Sequence, residues 1–156
     1  MSGSDGDPPR GVVVHFDGAC QPPHANGIAT WAFTVEGEGL DHEASGLAAP
    51  PFSPESTNNV AEYSGAIHAL EFLREKGYRG AVTVLGDSEL VIRQMSGEYA
   101  VRKEHLKPYH ARLRSLAAEL PNLRFVAIPR EQNVRADELT KRAIVEARRN
   151  LDRGGS

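Results

Sequence analysis

A chain of 156 residues, 40% apolar and 25% charged, has the composition of a folded domain, and its length leaves room for one core and one principal site. Its 18 basic and 21 acidic residues give a formal charge of -3, so any attraction to a polyanion must be local rather than a property of the whole molecule. A lone cysteine, Cys20, excludes an internal disulfide; the chain also lacks an apolar run of about 18 residues, and the opening MSGSDGDPPR has neither the cationic start nor the apolar stretch of a signal peptide, so a soluble cytoplasmic protein is expected, with no membrane partner. A monomer is the further expectation.

Residues 1–10 read as a disordered tail, 11–150 as one domain and 151–156 as a second tail. GVVVHF, from Gly11 to Phe16, is a β-branched run that Asp17-Gly18 is expected to end in a turn. A second strand is expected over Ile28 to Val35, and after a Gly-containing turn a weaker third over His42 to Leu47, together an antiparallel meander. From Thr57 the period changes: Val60, Tyr63, Ile67, Leu70 and Leu73 mark a long amphipathic helix that stops at Lys76-Gly77. A strand at Val82 to Leu85 passes through Gly86-Asp87-Ser88 into a helix closed by Gly97. A basic helix over about Leu106 to Leu120, a strand over Leu123 to Ile128 and an Arg-rich helix over about Val134 to Leu151 complete the chain. The order βββ-α-β-α-α-β-α implies an α/β fold, a five-stranded mixed sheet with helices on both faces. Trp31 falls inside a strand pattern and reads as core.

Four acids stand at element boundaries: Asp17, Glu62, Asp87 and Asp137. Singly each has an ordinary explanation, Asp17 as a turn residue, Glu62 and Asp137 as first-turn carboxylates, Asp87 as a helix cap. Their surroundings are more specific. Asp17-Gly18-Ala19-Cys20, Thr57-Asn58-Asn59 followed by Glu62, Asp87-Ser88, and Asn133 followed by Ala136-Asp137 occur in that order across residues 12–148. In these four motifs the chain resembles the type 1 ribonuclease H family, ribonuclease HI, in its short form without a basic protrusion.

The resemblance implies the ribonuclease H-like fold and a metal-dependent endonuclease that cuts the RNA strand of an RNA/DNA hybrid, leaving a 5′-phosphate and a 3′-hydroxyl. Double-stranded RNA is a second candidate partner. Carboxylates gathered in one site suit Mg²⁺, with Mn²⁺ as substitute, and not zinc, because Cys20 stands alone and His24, His42, His68, His105 and His110 show no ligand spacing. By position in the family, Asp17 bridges two ions, Asp87 helps hold the ion that carries the attacking water, and Glu62 and Asp137 hold the leaving-group ion. Gly18, Ala19, Cys20, Thr57, Asn58, Asn59, Ser88 and Asn133 are the expected substrate contacts, with Asn59 alternatively a helix cap.

Departures from the family are also visible. The turn after the first motif reads Gln21-Pro22-Pro23-His24-Ala25-Asn26-Gly27 in place of an Asn-Pro-Gly type. The loop before Asp137 lacks the histidine that many relatives carry, leaving Arg130 as the candidate phosphate ligand, unable to act as a base; Glu131 is assigned to the surface. With the protrusion missing, Arg102, Lys103, Lys107, Arg112 and Arg114 are the cations left to grip the DNA strand, with Arg102 and Lys107 taken as its contacts. The rival readings are a non-catalytic nucleic-acid-binding domain of the same fold, which would be marked by a lost carboxylate, and a nucleotide-binding α/β protein, for which no glycine-rich phosphate loop is present.

Overall fold

A computed structural model of the protein describes residues 11–22 and 26–154, so the expected tail over 1–10 and His24 lie outside the described residues. Strands β1 (Val12–Gln21), β2 (Ile28–Gly37) and β3 (Leu40–Leu47) form the antiparallel meander, and β4 (Val82–Gly86) and β5 (Leu123–Ala127) join parallel to β1, in the order β3-β2-β1-β4-β5. The helices are α1 (Asn58–Glu75), α2 (Glu89–Ser96), α3 (Lys107–Ala117) and α4 (Val134–Gly154). This is the expected mixed sheet.

Alternation along the strands divides the interior. Val12, Val14 and Phe16 of β1, with Trp31, Phe33 and Val35 of β2, face the main core with Val60, Tyr63, Leu70 and Leu73 of α1 and residues of α2 and α3. Trp31 is buried there, as expected, its Nε1 donating to Leu47 O at 3.2 Å and its ring stacked on His68. The other face is thinner, with Ala19 and Ile28 meeting Ile144 and Ala147 of α4, and Thr30 Oγ1 donating to Thr140 O at 2.8 Å.

Beyond shifts of one to three residues at strand and helix ends, three boundaries differ from expectation. The turn at Asp17-Gly18 does not form; β1 runs through both residues and pairs with β2 as far as Gln21↔Ile28. Gly18 is there for packing, because a Cβ on it would lie 2.3 Å from Ala61 C and Glu62 N of α1. α4 continues to Gly154, making residues 151–154 helical rather than a tail. The basic helix begins later, at Lys107, after a 3-10 turn over Glu104–Leu106 that buries Leu106.

Caps set the other ends. Thr57 Oγ1 accepts from Val60 N at 3.2 Å and starts α1, so Asn59 is not its cap. Ser88 Oγ accepts from Val91 N at 3.3 Å and starts α2, which releases Asp87 from capping. Among the described residues no helix is long and apolar enough to cross a membrane.

Candidate metal centre

The parallel pairing of β1 with β4 ends at Phe16↔Gly86, so Asp17, which stays paired with β2, and Asp87, just past the end of β4, are the next residues along the two neighbouring chains. Glu62 comes from α1, which approaches β1 closely because Gly18 and Gly65 leave room for its backbone; a Cβ on Gly65 would lie 2.7 Å from Asp17 O and 2.9 Å from Ala32 O. One carboxylate oxygen from each of Asp17, Glu62 and Asp87 lies within 4.8 Å of the others. They open into a cleft of about 840 Å³ at the end of the sheet, where α/β folds place their ligands.

The electrostatics follow from that crowding. Burial, with Asp17 only 6% exposed, and the nearby Asp87 push the Asp17 carboxyl up to about 8; the Gly18 N–H opposes this, while Glu62 and Asp137 add to it. Glu62 is pushed up to about 7, chiefly by burial, with a Ser88 hydrogen bond opposing and Asp87 reinforcing. A set of hard oxygen donors whose charges are mutually unfavourable fits a hard divalent cation.

Asp137 projects into the same cleft from the first turn of α4 but stands outside the tight group. Its Oδ2 lies 2.9 Å from Lys141 Nζ and its Oδ1 4.0 Å from Arg130 Nη2. Lys141 lines the cleft and escapes the sequence reading; the signal for it is an acid-to-lysine spacing of four on one helix, which puts both side chains on one face.

The family described as "Reverse transcriptase-like" matches residues 15–143. Ribonuclease HI of Halobacterium salinarum is 30% identical over 142 residues, covering 90% of this chain and 68% of that protein. The chain belongs to the ribonuclease HI family. LC11-RNase H1, isolated from compost by a metagenomic approach, has been solved in complex with an RNA/DNA hybrid; it is 38% identical, superposes with a TM-score of 0.77, and the match covers 88% of this chain and 99% of that one. A bifunctional protein of Mycobacterium tuberculosis is 31% identical over 136 residues, and the chain spans only 35% of its length.

Against this ribonuclease H fold the remaining expected contacts separate into two groups. Gly18, Ala19 and Cys20 border the cleft along β1, Asn58 opens onto it from the start of α1, and the exposed Arg130 stands at its rim. Thr57, Ser88 and Asn133 are instead occupied within the protein. Thr57 caps α1; Ser88, 5% exposed, caps α2 and bonds Glu62; Asn133, 1% exposed, donates to Phe16 O. The Cys20 thiol is buried and donates to Ser56 O at 3.2 Å.

The basic cluster divides likewise. Arg102 and Lys103 line a second groove of about 350 Å³ with Asn59, Gln94 and Tyr99. Lys107 is paired with Glu104, and Arg112 Nη2 lies 2.9 Å from Glu71 Oε2, so neither presents an uncompensated charge. Glu131 is exposed, as expected.

Proposed function

We propose that this chain is a divalent-metal-dependent endonuclease that cleaves the RNA strand of RNA/DNA hybrids to 5′-phosphate and 3′-hydroxyl ends. The observation that carries this reading is the convergence of Asp17, Glu62 and Asp87, from three separate elements, with oxygens within 4.8 Å and Asp137 in the same cleft. These four carboxylates would hold two Mg²⁺ ions, or Mn²⁺ in their place, with Asp17, the least exposed of the four and the one that feels the charge of all three others, as the shared ligand. Divalent ions supply Lewis acidity and charge neutralisation for phosphodiester hydrolysis.

The protein's own residues position the duplex. The β1 backbone at Gly18 and Ala19 has little side chain to keep the RNA strand away, and the Asn58 amide offers both a donor and an acceptor to 2′-hydroxyls in the shallow groove. Arg130 can hold an RNA phosphate through paired hydrogen bonds while its second role, facing Asp137, keeps positive charge beside the acidic cluster. The DNA strand would follow the groove lined by Asn59, Arg102 and Lys103. We place the protein in the cytoplasm as a monomer, with residues 11–150 as the functional domain.

The test is cleavage of an end-labelled hybrid with Mg²⁺, Mn²⁺ or EDTA, beside RNA/RNA and single-stranded RNA. Hybrid cleavage that needs the metal and disappears in Asp87→Asn is expected. Intact hybrid in both metals would instead favour the non-catalytic binding domain.

A further inference from the structure

Asn133 stands where three of the carboxylate-bearing elements meet. It immediately precedes α4, and its Nδ2 donates to Phe16 O at 2.8 Å and to Asp87 Oδ1 at 3.4 Å. Phe16 is the last β1 residue in register with β4, so this amide supplies a donor where the parallel ladder stops. Turning the amide over would set its oxygen against two acceptors, Phe16 O and the Asp87 carboxylate, which fixes its orientation. The Asn133 backbone joins in, its carbonyl accepting from Asp137 N at 3.1 Å. One residue thus ties together the end of β1 beside Asp17, the carboxylate after β4, and the turn of α4 that carries Asp137.

Two further observations separate this role from substrate contact and from simple space filling. Asn133 is 1% exposed, leaving no surface to meet a duplex. Its Oδ1 is buried without a hydrogen-bond partner, a cost that a merely space-filling residue would not carry. A neutral donor also orients a carboxylate without cancelling its charge, unlike the cations facing Asp137.

We propose that Asn133 is a positioning residue whose side-chain amide holds the Asp87 carboxylate in place and so sets the affinity of the centre for divalent cations. The proposal rests on the reading of Asp87 as a metal ligand. Groups that orient metal ligands typically contribute roughly 10- to 100-fold in metal affinity, and an effect of that order is expected here.

Calorimetric titration of Mn²⁺ into wild type, Asn133→Ala, Asn133→Leu and Asp87→Asn tests it, with folding followed by circular dichroism. Leu is close to Asn in shape and removes both the donor and the unpartnered oxygen. Both Asn133 variants should bind Mn²⁺ roughly tenfold or more weakly, while at saturating Mn²⁺ the hybrid KM stays within about twofold of wild type and kcat falls. Unchanged Mn²⁺ affinity in a folded Asn133 variant, with binding lost in Asp87→Asn, overturns the proposal and leaves the metal site standing. Unchanged affinity in Asp87→Asn overturns the metal site itself. A raised KM with unchanged Mn²⁺ affinity returns Asn133 to the substrate. In wild type, the Asn133 side-chain amide resonances should shift on Mg²⁺ titration; resonances that do not move overturn the proposal without any variant.

Discussion

Asp17 holds its proton far more tightly in the folded, cation-free protein, at about 8, than an ordinary aspartate does at about 3.9. Between about pH 4 and pH 8 the unfolded chain has lost this proton and the folded chain keeps it, so stability falls as pH rises through that window. Glu62, at about 7, adds to the same trend over a narrower range. Asp17→Asn removes the Asp17 contribution, a slope of up to about 1.4 kcal/mol per pH unit. In EDTA the variant should therefore melt above wild type near pH 7.5, with the gap closing toward pH 4, and Mg²⁺ should raise the wild-type Tm while leaving the variant's nearly unchanged. Melting curves at three pH values, with EDTA and with Mg²⁺, check this; a constant gap and equal metal responses would falsify the bridging role. That Asp17, Glu62 and Asp87 come together is legible because each sits in a short, distinctive motif. The cap bonds of Thr57 and Ser88 and the Asn133 bond to Phe16 O are not legible, because a polar residue at a helix start looks the same in sequence whether it caps, positions a neighbour or meets a ligand.

Between elements, the decisive dimension is the separation of α1 from β1, since it delivers Glu62 to Asp17. Gly65→Ala would press a methyl group against Asp17 O and Ala32 O, both backbone atoms that cannot swing aside. The helix must lift, at a cost of about 1–3 kcal/mol. Chemical denaturation should show that loss, and Mn²⁺ titration should show weaker binding as Glu62 withdraws; wild-type values in both would contradict the close-packing argument. The same packing explains the misplaced end of β1. Asp-Gly is a strong local turn signal, yet Gly18 answers a demand from residues 61 and 62, more than forty positions away, which no local pattern carries. α1 is legible because the helical spacing of Val60, Tyr63, Ile67, Leu70 and Leu73 agrees with their packing in the main core.

Across the molecule, a chain of charge -3 with an acidic centre must rely on a few uncompensated cations to hold a polyanion. Arg102 and Lys103 line the groove, whereas Lys107 and Arg112 already face Glu104 and Glu71. Hybrid binding, measured by fluorescence anisotropy in Ca²⁺ across a salt series, should be weak and steeply salt-dependent. Changing Arg102 and Lys103 together to Ala should make the slope of log K against log salt shallower by about one per cation, while Lys107→Ala leaves it nearly unchanged. A slope altered only by Lys107→Ala would move the interface along α3. Sequence grouped these cations because they are neighbours in the chain; the acid that occupies Arg112 lies 41 residues away and becomes visible only in three dimensions.

The two faces of the sheet are unequally upholstered. α1 puts seven buried residues into the main core, whereas α4 buries Ala136, Thr140, Ile144 and Ala147 on a face whose apolar cluster is small. An element held by so little apolar surface opens at a lower free energy than the rest of the domain. Native-state hydrogen exchange should accordingly find the α4 amides exchanging through a local opening, ahead of those in α1 and β1, and protection equal to α1 would contradict this. Because Asn133 and Asp137 leave with that helix, each opening would disassemble the centre while the larger core stays folded, giving the protein a reversible inactive population set by the docking of its last helix.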